Sequence, residues 1–457
     1  MKDGSESSWP ARLRLGEDPA PALDRLKSHL MQPKGLIALP TETVYGLAAN
    51  GLCEESVRHI FTVKGRPLTD PVILHVSDFA DALRSIFNAD LYDACVVLLL
   101  AKAFAPGPLT LITRGRETIP AVVSANTGFP AVRCPNHPVA QRILRHAGVP
   151  LAAPSANKFG HISPTCADHV ISEFQGVPIL VVDGGQCTLG LESTVLKLEP
   201  ASSDTYADEF LSRFGASYEH LRDVIGAMDP DTLSSPSAQD RFIAKCEQVD
   251  GMPVGLPLAL LRYLAEKSSF PRRITILRPG FVTEADLKRL FKSSVFSTVE
   301  VGRRAIYANV DETCEAPGTT LSHYAPSVPT YLVCAAQAAG GAPVDLQRVV
   351  MIDAEGVFKG SSQLFLHYIS FGQGDEAVAR GLYGALREAE SVALRHDGQR
   401  PQRGTVDGTS GESAIIIVNH EERGTELNAT VRDRLVRASS GNTVAYVPGP
   451  HSVEFYL

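Results

Sequence analysis

An α/β protein with two sheet-bearing domains is predicted by three features of the 457-residue chain. Short apolar runs of strand length alternate with segments of helical period from residue 21 to about 200, the pattern of a mixed α/β sheet. A stretch rich in Ser, Asp and Ala interrupts that pattern to about 270, and a second strand-and-helix series starts at Thr330. Hydrophobic residues make up 44% of the chain, enough for more than one core.

Taken in order, residues 1–20 read as an N-terminal tail, and Pro21–Met31 as a helix with Leu23, Leu26 and Leu30 on one face. Strands are predicted at 36–39, 72–76, 109–113, 130–134, 150–153, 179–182 and 193–198, separated by helical patterns such as His137–His146. Leu36–Leu39 suits a buried strand, and Pro40 ends it, leaving Thr41, Glu42 and Thr43 on an exposed turn. Strand ends are where α/β proteins place ligands. Val57, Ile60 and Phe61 fall at helical spacing, so Lys64 and Arg66 leave that helix on a loop constrained by Gly65 and Pro67. Within the interruption, Phe210–Val224 and Pro257–Lys267 have helical period, and the rest is predicted to be loose. ITILRPG at 274–280 restores a strand. From Thr330, TYLVCA, RVVMID, LFLHYIS and AIIIV read as strands, with Asp375–Ala393 and Asn428–Ala438 as helices. Gly372, Gly374 and Ala377 mimic a dinucleotide fingerprint, but no clear acidic partner follows, so an ordinary strand-to-helix turn is expected.

Composition narrows the function. The net charge of −8 argues against a broad basic RNA-gripping surface. Eight cysteines, no pair closer than twenty residues, form neither a CxxC redox motif nor a zinc cluster. The longest apolar run, Ala94–Ala101, is short of a membrane span. Early acidic residues and the scattered thiols predict a cytoplasmic location, with a mitochondrial pool left open. There is no Walker A pattern and no GxSxG elbow.

Two residue patterns carry chemistry. Lys64 and Arg66 beside a hydroxyl-rich turn suit a polyphosphate, although an isolated KGR at a helix end would more often face water. Arg133 lies in the strand run AVRC between apolar neighbours and requires an anion; a bound substrate carboxylate is the expected partner, with a salt bridge to an internal Asp or Glu as the alternative.

PTETVYGL at 40–47, KGRP at 64–67, PVILH at 71–75, FAPGPLTL at 104–111, AVRCPNHP at 131–138, APSAN at 153–157, HISPT at 161–165 and LESTV at 191–195 follow one another in the order seen in threonylcarbamoyl-AMP synthases. With ITILRPG and APGTTLSHYAP at 316–326, the chain resembles the long form of that YrdC-like family. The resemblance implies a YrdC-like catalytic domain over 21–295 with an insertion at about 200–270, a linker over 296–329 carrying HYAP, and a smaller Rossmann-like domain over 330–457. It implies condensation of L-threonine, bicarbonate and ATP, with Mg2+ held mostly by phosphate oxygens and water. The product would pass to a separate complex that modifies ANN-decoding tRNAs.

The site residues implied by the resemblance are these. Lys64 and Arg66 are the phosphate clamp; Thr43, His75, Arg133, Ala153, Ser193 and Thr194 form the threonine pocket. Asp70, Phe129, Ser155, Asn157, Ser163, Arg278 and Tyr324 join Lys64 and Arg66 on the ATP side. Asp70 stands where the family usually has an amide, and Phe129 where it often has threonine. No metal-ligating side chain is assigned. HYAP, with His323 and Tyr324, is expected to fold over the site as a lid. Two other readings follow from the domain type: a double-stranded RNA-binding module, with weak RNA contact, and a carbamoyltransferase on another acceptor, whose relatives carry zinc-finger cysteine pairs absent here. No membrane partner is expected.

Overall fold

The computed structural model describes residues 9–199, 205–267, 272–303, 313–318, 324–335, 343–372, 374–398, 412–418, 423–448 and 453–456. Among them, eleven strands form the first sheet: β1 (Ala11–Leu13), β2 (Leu36–Leu39), β3 (Gly46–Asn50), β4 (Ile73–His75), β5 (Leu109–Ile112), β6 (Ala131–Arg133), β7 (Leu151–Ala152), β8 (Ile179–Val182), β9 (Thr194–Leu198), β10 (Arg272–Arg278) and β11 (Val299–Arg303). Their spatial order is β1-β8-β2-β3-β7-β4-β6-β5-β9-β10-β11. The sheet is mixed: β2 is parallel to β8 and antiparallel to β3, while β4 is parallel to β6.

Strand β2 shows how the core is divided. Its alternate residues face opposite ways. Ile37 and Leu39 pack with Leu26 and Leu30 of helix Ala20–Leu30 and Ile143 of helix Pro138–Ala147, whereas Leu36 and Ala38 join the larger cluster around Leu91, Leu98 and Leu111. Both faces of the sheet are thus covered, which explains strands that are apolar throughout.

Three expectations are corrected. Residues 1–20 are not wholly a tail: β1 pairs in parallel with β8, Ala11 standing opposite Leu180, and Arg14 meets Asp183 at 2.8 Å. Three residues are too few for a periodic signal, and the strand depends on its partner. The expected linker from 296 begins inside the sheet, because β11 pairs in parallel with β10. The interruption is not loose over residues 205–267. Helices Ala207–Ser212, Tyr218–Ala227, Pro236–Glu247 and Leu256–Lys267 lie between β9 and β10, which pair antiparallel. Phe210, Leu221, Phe242 and Leu260 of these helices are buried in the main core.

Six strands form the second sheet among the described residues: β12 (Thr330–Ala335), β13 (Val349–Asp353), β14 (His367–Ser370), β15 (Ala414–Val418), β16 (Thr443–Pro448) and β17 (Val453–Tyr456), in the order β14-β13-β15-β12-β16-β17. All pairs are parallel except β16–β17. Helices Asp375–Gly398 and Glu426–Ala438 cover one face through Leu382, Leu386, Val431 and Leu435. The same buried cluster takes in Val44, Ile162 and Leu191 of the first domain and Tyr324 of the connection. The two domains therefore share a core.

Candidate active site

Strand register assembles one wall of the pocket. His75 and Arg133 stand side by side at the ends of the parallel pair β4–β6, and Thr110 of β5 is opposite Arg133 on its other side. The turn after β2 closes over them. Thr41 Oγ1 accepts from the amides of Thr43 and Val44, each at 3.2 Å, which fixes the Thr41–Thr43 turn. Arg133 then donates through Nη1 to Thr43 Oγ1 at 2.7 Å. Its anion is internal: Nη2 lies 2.6 Å from Glu42 Oε1, and both side chains are buried. Sequence reasoning named the need for an anion and missed Glu42, although that residue sits within the quoted PTET motif. Burial, then the Arg133 charge, pushes His75 down to about 3, so its ring is neutral at physiological pH.

The opposite wall is cationic. Helix Glu54–Lys64 ends at Gly65, whose φ of 62° is the left-handed cap position that glycine fills without strain. This aims Lys64 into the protein, where Nζ donates to Ser155 O at 2.6 Å and to Asn157 O. Burial, then the Arg66 charge, holds the Lys64 ammonium well below its ordinary value. Arg66 donates to Asp70 O at 2.9 Å and Pro71 O at 2.6 Å and pairs with the Asp70 carboxylate at 2.8 Å. Burial pushes that carboxyl up, against the pull of Arg66. Arg278, at the end of β10, donates to Ser193 O at 3.0 Å and Pro317 O at 3.0 Å. Among the described residues, neither Lys64 nor Arg278 makes an ion pair; backbone carbonyls hold both.

Nine of the predicted residues line one pocket: Thr43, Arg66, His75, Arg133, Ala153, Ser155, Ser193, Arg278 and Tyr324. The others stand outside its lining, each for a visible reason. Lys64 lies beneath the Ser155 loop, and Asp70 is behind Arg66. Asn157 donates to Lys158 O and His161 O, tying its own loop. Ser163 donates to Glu192 at 3.1 Å, and Thr194 Oγ1 to Val282 O at 2.8 Å. Phe129 packs by Ile112 and Val195, with Lys197 Nζ 5.0 Å from its ring centroid. Glu192, Pro317 and Gly318 line the pocket and were missed. All three lie within the quoted motifs LESTV and APGTTLSHYAP, whose other residues were assigned in their place. His323 lies outside the described residues, but Tyr324 is buried against Tyr383, their ring centroids 5.3 Å apart.

Among the described residues, no group of three or more His, Cys, Asp or Glu is arranged to hold a metal ion, and no helix is long and apolar enough to cross a membrane.

A mixed α/β sheet with a buried cationic pocket, packed against a second, Rossmann-like domain, defines a YrdC-like protein of the two-domain kind. Two family descriptions match: "Telomere recombination" over residues 29–206 and "Threonylcarbamoyl-AMP synthase, C-terminal domain" over residues 282–440. The threonylcarbamoyl-AMP synthase of Pyrococcus abyssi is 35% identical over 49% of this chain and 66% of its own length. That of Bacillus subtilis is 37% identical over 44% of this chain and 56% of its own. That of Serratia proteamaculans is 31% identical over 30% of this chain and 72% of its own. The chain belongs to the threonylcarbamoyl-AMP synthase family, and it spans between about half and two-thirds of the lengths of the P. abyssi and B. subtilis relatives. The fold matches that of P. abyssi Sua5 complexed with L-threonine, with a TM-score of 0.61 and 24% identity over 95% of this chain and 98% of that one.

Proposed function

We propose that the chain is an L-threonylcarbamoyladenylate synthase. The threonine nitrogen takes up bicarbonate with loss of water, giving an N-carboxylated amino acid. An oxygen of that new carboxylate attacks the α-phosphorus of ATP as the bond to the bridging oxygen breaks. Threonylcarbamoyl-AMP, pyrophosphate and water result, and no protein nucleophile is needed.

The observation that carries this reading is the division of charge across the pocket. At one end the Arg133 charge is offset by Glu42, beside the hydroxyl of Thr43 and the neutral ring of His75. That suits a small zwitterion such as threonine, with Ala153, Ser193 and Thr194 nearby. At the other end Arg278 is fixed by the carbonyls of Ser193 and Pro317, and Lys64, beneath the pocket lining, by that of Ser155. Neutral acceptors set the geometry and leave the positive charge for a polyphosphate. Arg66, Ser155 and Tyr324 complete that wall, and a bound phosphate would favour the ammonium form of Lys64. In this reading Asp70, Asn157 and Ser163 position neighbours, and Phe129 packs beside the site. Mg2+ would arrive on the phosphates, since the one carboxylate lining the pocket among the described residues, Glu192, is already bonded to Tyr383 and Arg434. The adenylate would serve tRNA modification in the cytoplasm.

The test incubates the purified protein with ATP, threonine, bicarbonate and pyrophosphatase, omitting each substrate in turn. Phosphate release is expected only with all three. Equal release without threonine would overturn the proposal.

A further inference from the structure

We infer that Arg434 and Tyr383, both in the C-terminal domain, are positioning residues that act through Glu192 to set the geometry of the nucleotide wall. This rests on the proposed synthase reading. Glu192 lines the pocket and is almost fully buried. Its Oε2 accepts from Tyr383 OH at 2.8 Å and from Arg434 Nε at 3.2 Å, while Oε1 accepts from Ser163 Oγ at 3.1 Å. One carboxylate thus ties the HISPT loop to two helices of the other domain.

Arg434 does more than neutralise Glu192. Its side chain has no exposed surface, yet Nη2 donates to Pro279 O at 3.3 Å, the residue after Arg278. Its Cζ sits 5.2 Å from the Tyr324 ring centroid, a cation–π distance. A single buried guanidinium therefore touches the strand end that carries Arg278, the connection that carries Tyr324 and the loop that carries Ser193. Burying such a charge is costly, and an ion pair made only for stability gains little over an apolar substitute. Contact with three separate pocket segments gives the charge a geometric role instead.

The backbone makes the same contact rigid. A Cβ at Gly190 would fall 2.4 Å from the Arg380 carbonyl, so helix Asp375–Gly398 lies directly on the loop before Glu192. Displacement of that helix would carry Glu192 and Ser163 with it. The threonine end is linked to that loop through backbone, the Leu189 amide donating to Glu42 O at 2.8 Å, while its Arg133 and His75 stand on strand register within one sheet.

The experiment compares full-length wild type, Tyr383→Phe, Arg434→Met and Arg434→Lys by calorimetric binding of α,β-methylene-ATP and of L-threonine. Tyr383→Phe removes one hydroxyl and keeps the ring, so it remains informative if Arg434→Met does not fold. Each variant should weaken the nucleotide analogue by about five- to tenfold, within the range of ordinary coupling between sites, and leave threonine affinity within about twofold. Arg434→Lys should fall between wild type and Arg434→Met. Unchanged analogue affinity in folded Tyr383→Phe overturns the inference, as does equal weakening of both ligands. If wild type binds the analogue without threonine-dependent pyrophosphate release, the synthase reading fails while the binding contrast still decides this inference. If wild type does not bind the analogue, both fall.

Discussion

The two walls of the pocket are built in different ways. The threonine-side wall is a product of strand register: His75, Arg133 and Thr110 are neighbours because β4, β6 and β5 are neighbours, and the Thr41–Thr43 turn lies at the end of the nearby strand β2. The nucleotide-side wall is assembled from afar. Glu192 and Arg278 are separated in sequence by the helices at 207–267, Gly318 and Tyr324 belong to the connection, and Glu192 is held by Tyr383 of the C-terminal domain. The first wall carries an ion pair whose charges cancel; the second pairs Arg66 with Asp70 but holds Arg278, and Lys64 beneath it, on carbonyls. Rigidity on one side is a property of a sheet, and on the other of a domain seam.

The largest expected effect tests the cancelled charge. Glu42→Ala leaves the Arg133 guanidinium buried without its carboxylate, and Arg133→Ala leaves Glu42 equally stranded. Each should cost about 3–5 kcal/mol of stability, read by chemical denaturation. The double substitution should be milder than the two singles added together, because it strands neither charge. Strict additivity would mean that the pair does not couple. Arg133→Ala, where it folds, should also raise the threonine KM more than it lowers kcat.

Lys64 tests the opposite wall. It contributes no ion pair among the described residues, so Lys64→Ala should act on the reaction more than on the fold. Turnover should drop on the order of a hundredfold, as when a preorganised charge is removed from a transition state. A variant that loses stability and keeps turnover would transfer Lys64 from chemistry to loop anchoring, through its bonds to the Ser155 and Asn157 carbonyls.

Legibility in the sequence follows the same division. Arg133 and the Thr41–Thr43 turn could be read from short apolar runs, since strands end where ligands bind, whereas the parts of Thr43 and His75 came only from the resemblance, a lone strand histidine being more often core. Strand β3 escaped, since GLAAN has no β-branched residue and is buried on both faces. Glu42 was within reach: a buried arginine demands a carboxylate, and one lay in the neighbouring motif. Glu192, Arg434 and Tyr383 were not, for their contact joins residues about two hundred positions apart through a domain seam. The four helices at 207–267 were half visible because their apolar positions are diluted by Ser and Asp, and tertiary packing decides them.

The smallest effect expected concerns the seam under acid. Glu173 pairs with Arg387 of the C-terminal domain at 2.8 Å and accepts from the Lys158 amide at 3.0 Å, which ties helix Ala167–Glu173 and the loop before Ser163 to helix Asp375–Gly398. Burial works against its charge, but the His161 hydrogen bond and the Arg387 guanidinium prevail and bring its carboxyl down from 4.5 to about 2. A carboxyl depressed on folding contributes stability that is fully present above its unfolded value and is lost as pH falls through its folded one. The contribution is therefore whole above about pH 4.5 and fades toward about pH 2. Glu173→Gln should melt a few degrees below wild type near pH 6, the scale of a modest change in stability, and the gap should close as acid is added. His75, also depressed on folding, loses its contribution in the same direction from its ordinary value of 6.5 toward about 3, but it does so in both proteins and drops out of the difference. A melting gap that stays constant from pH 6 to pH 3 would show that Glu173 acts through packing.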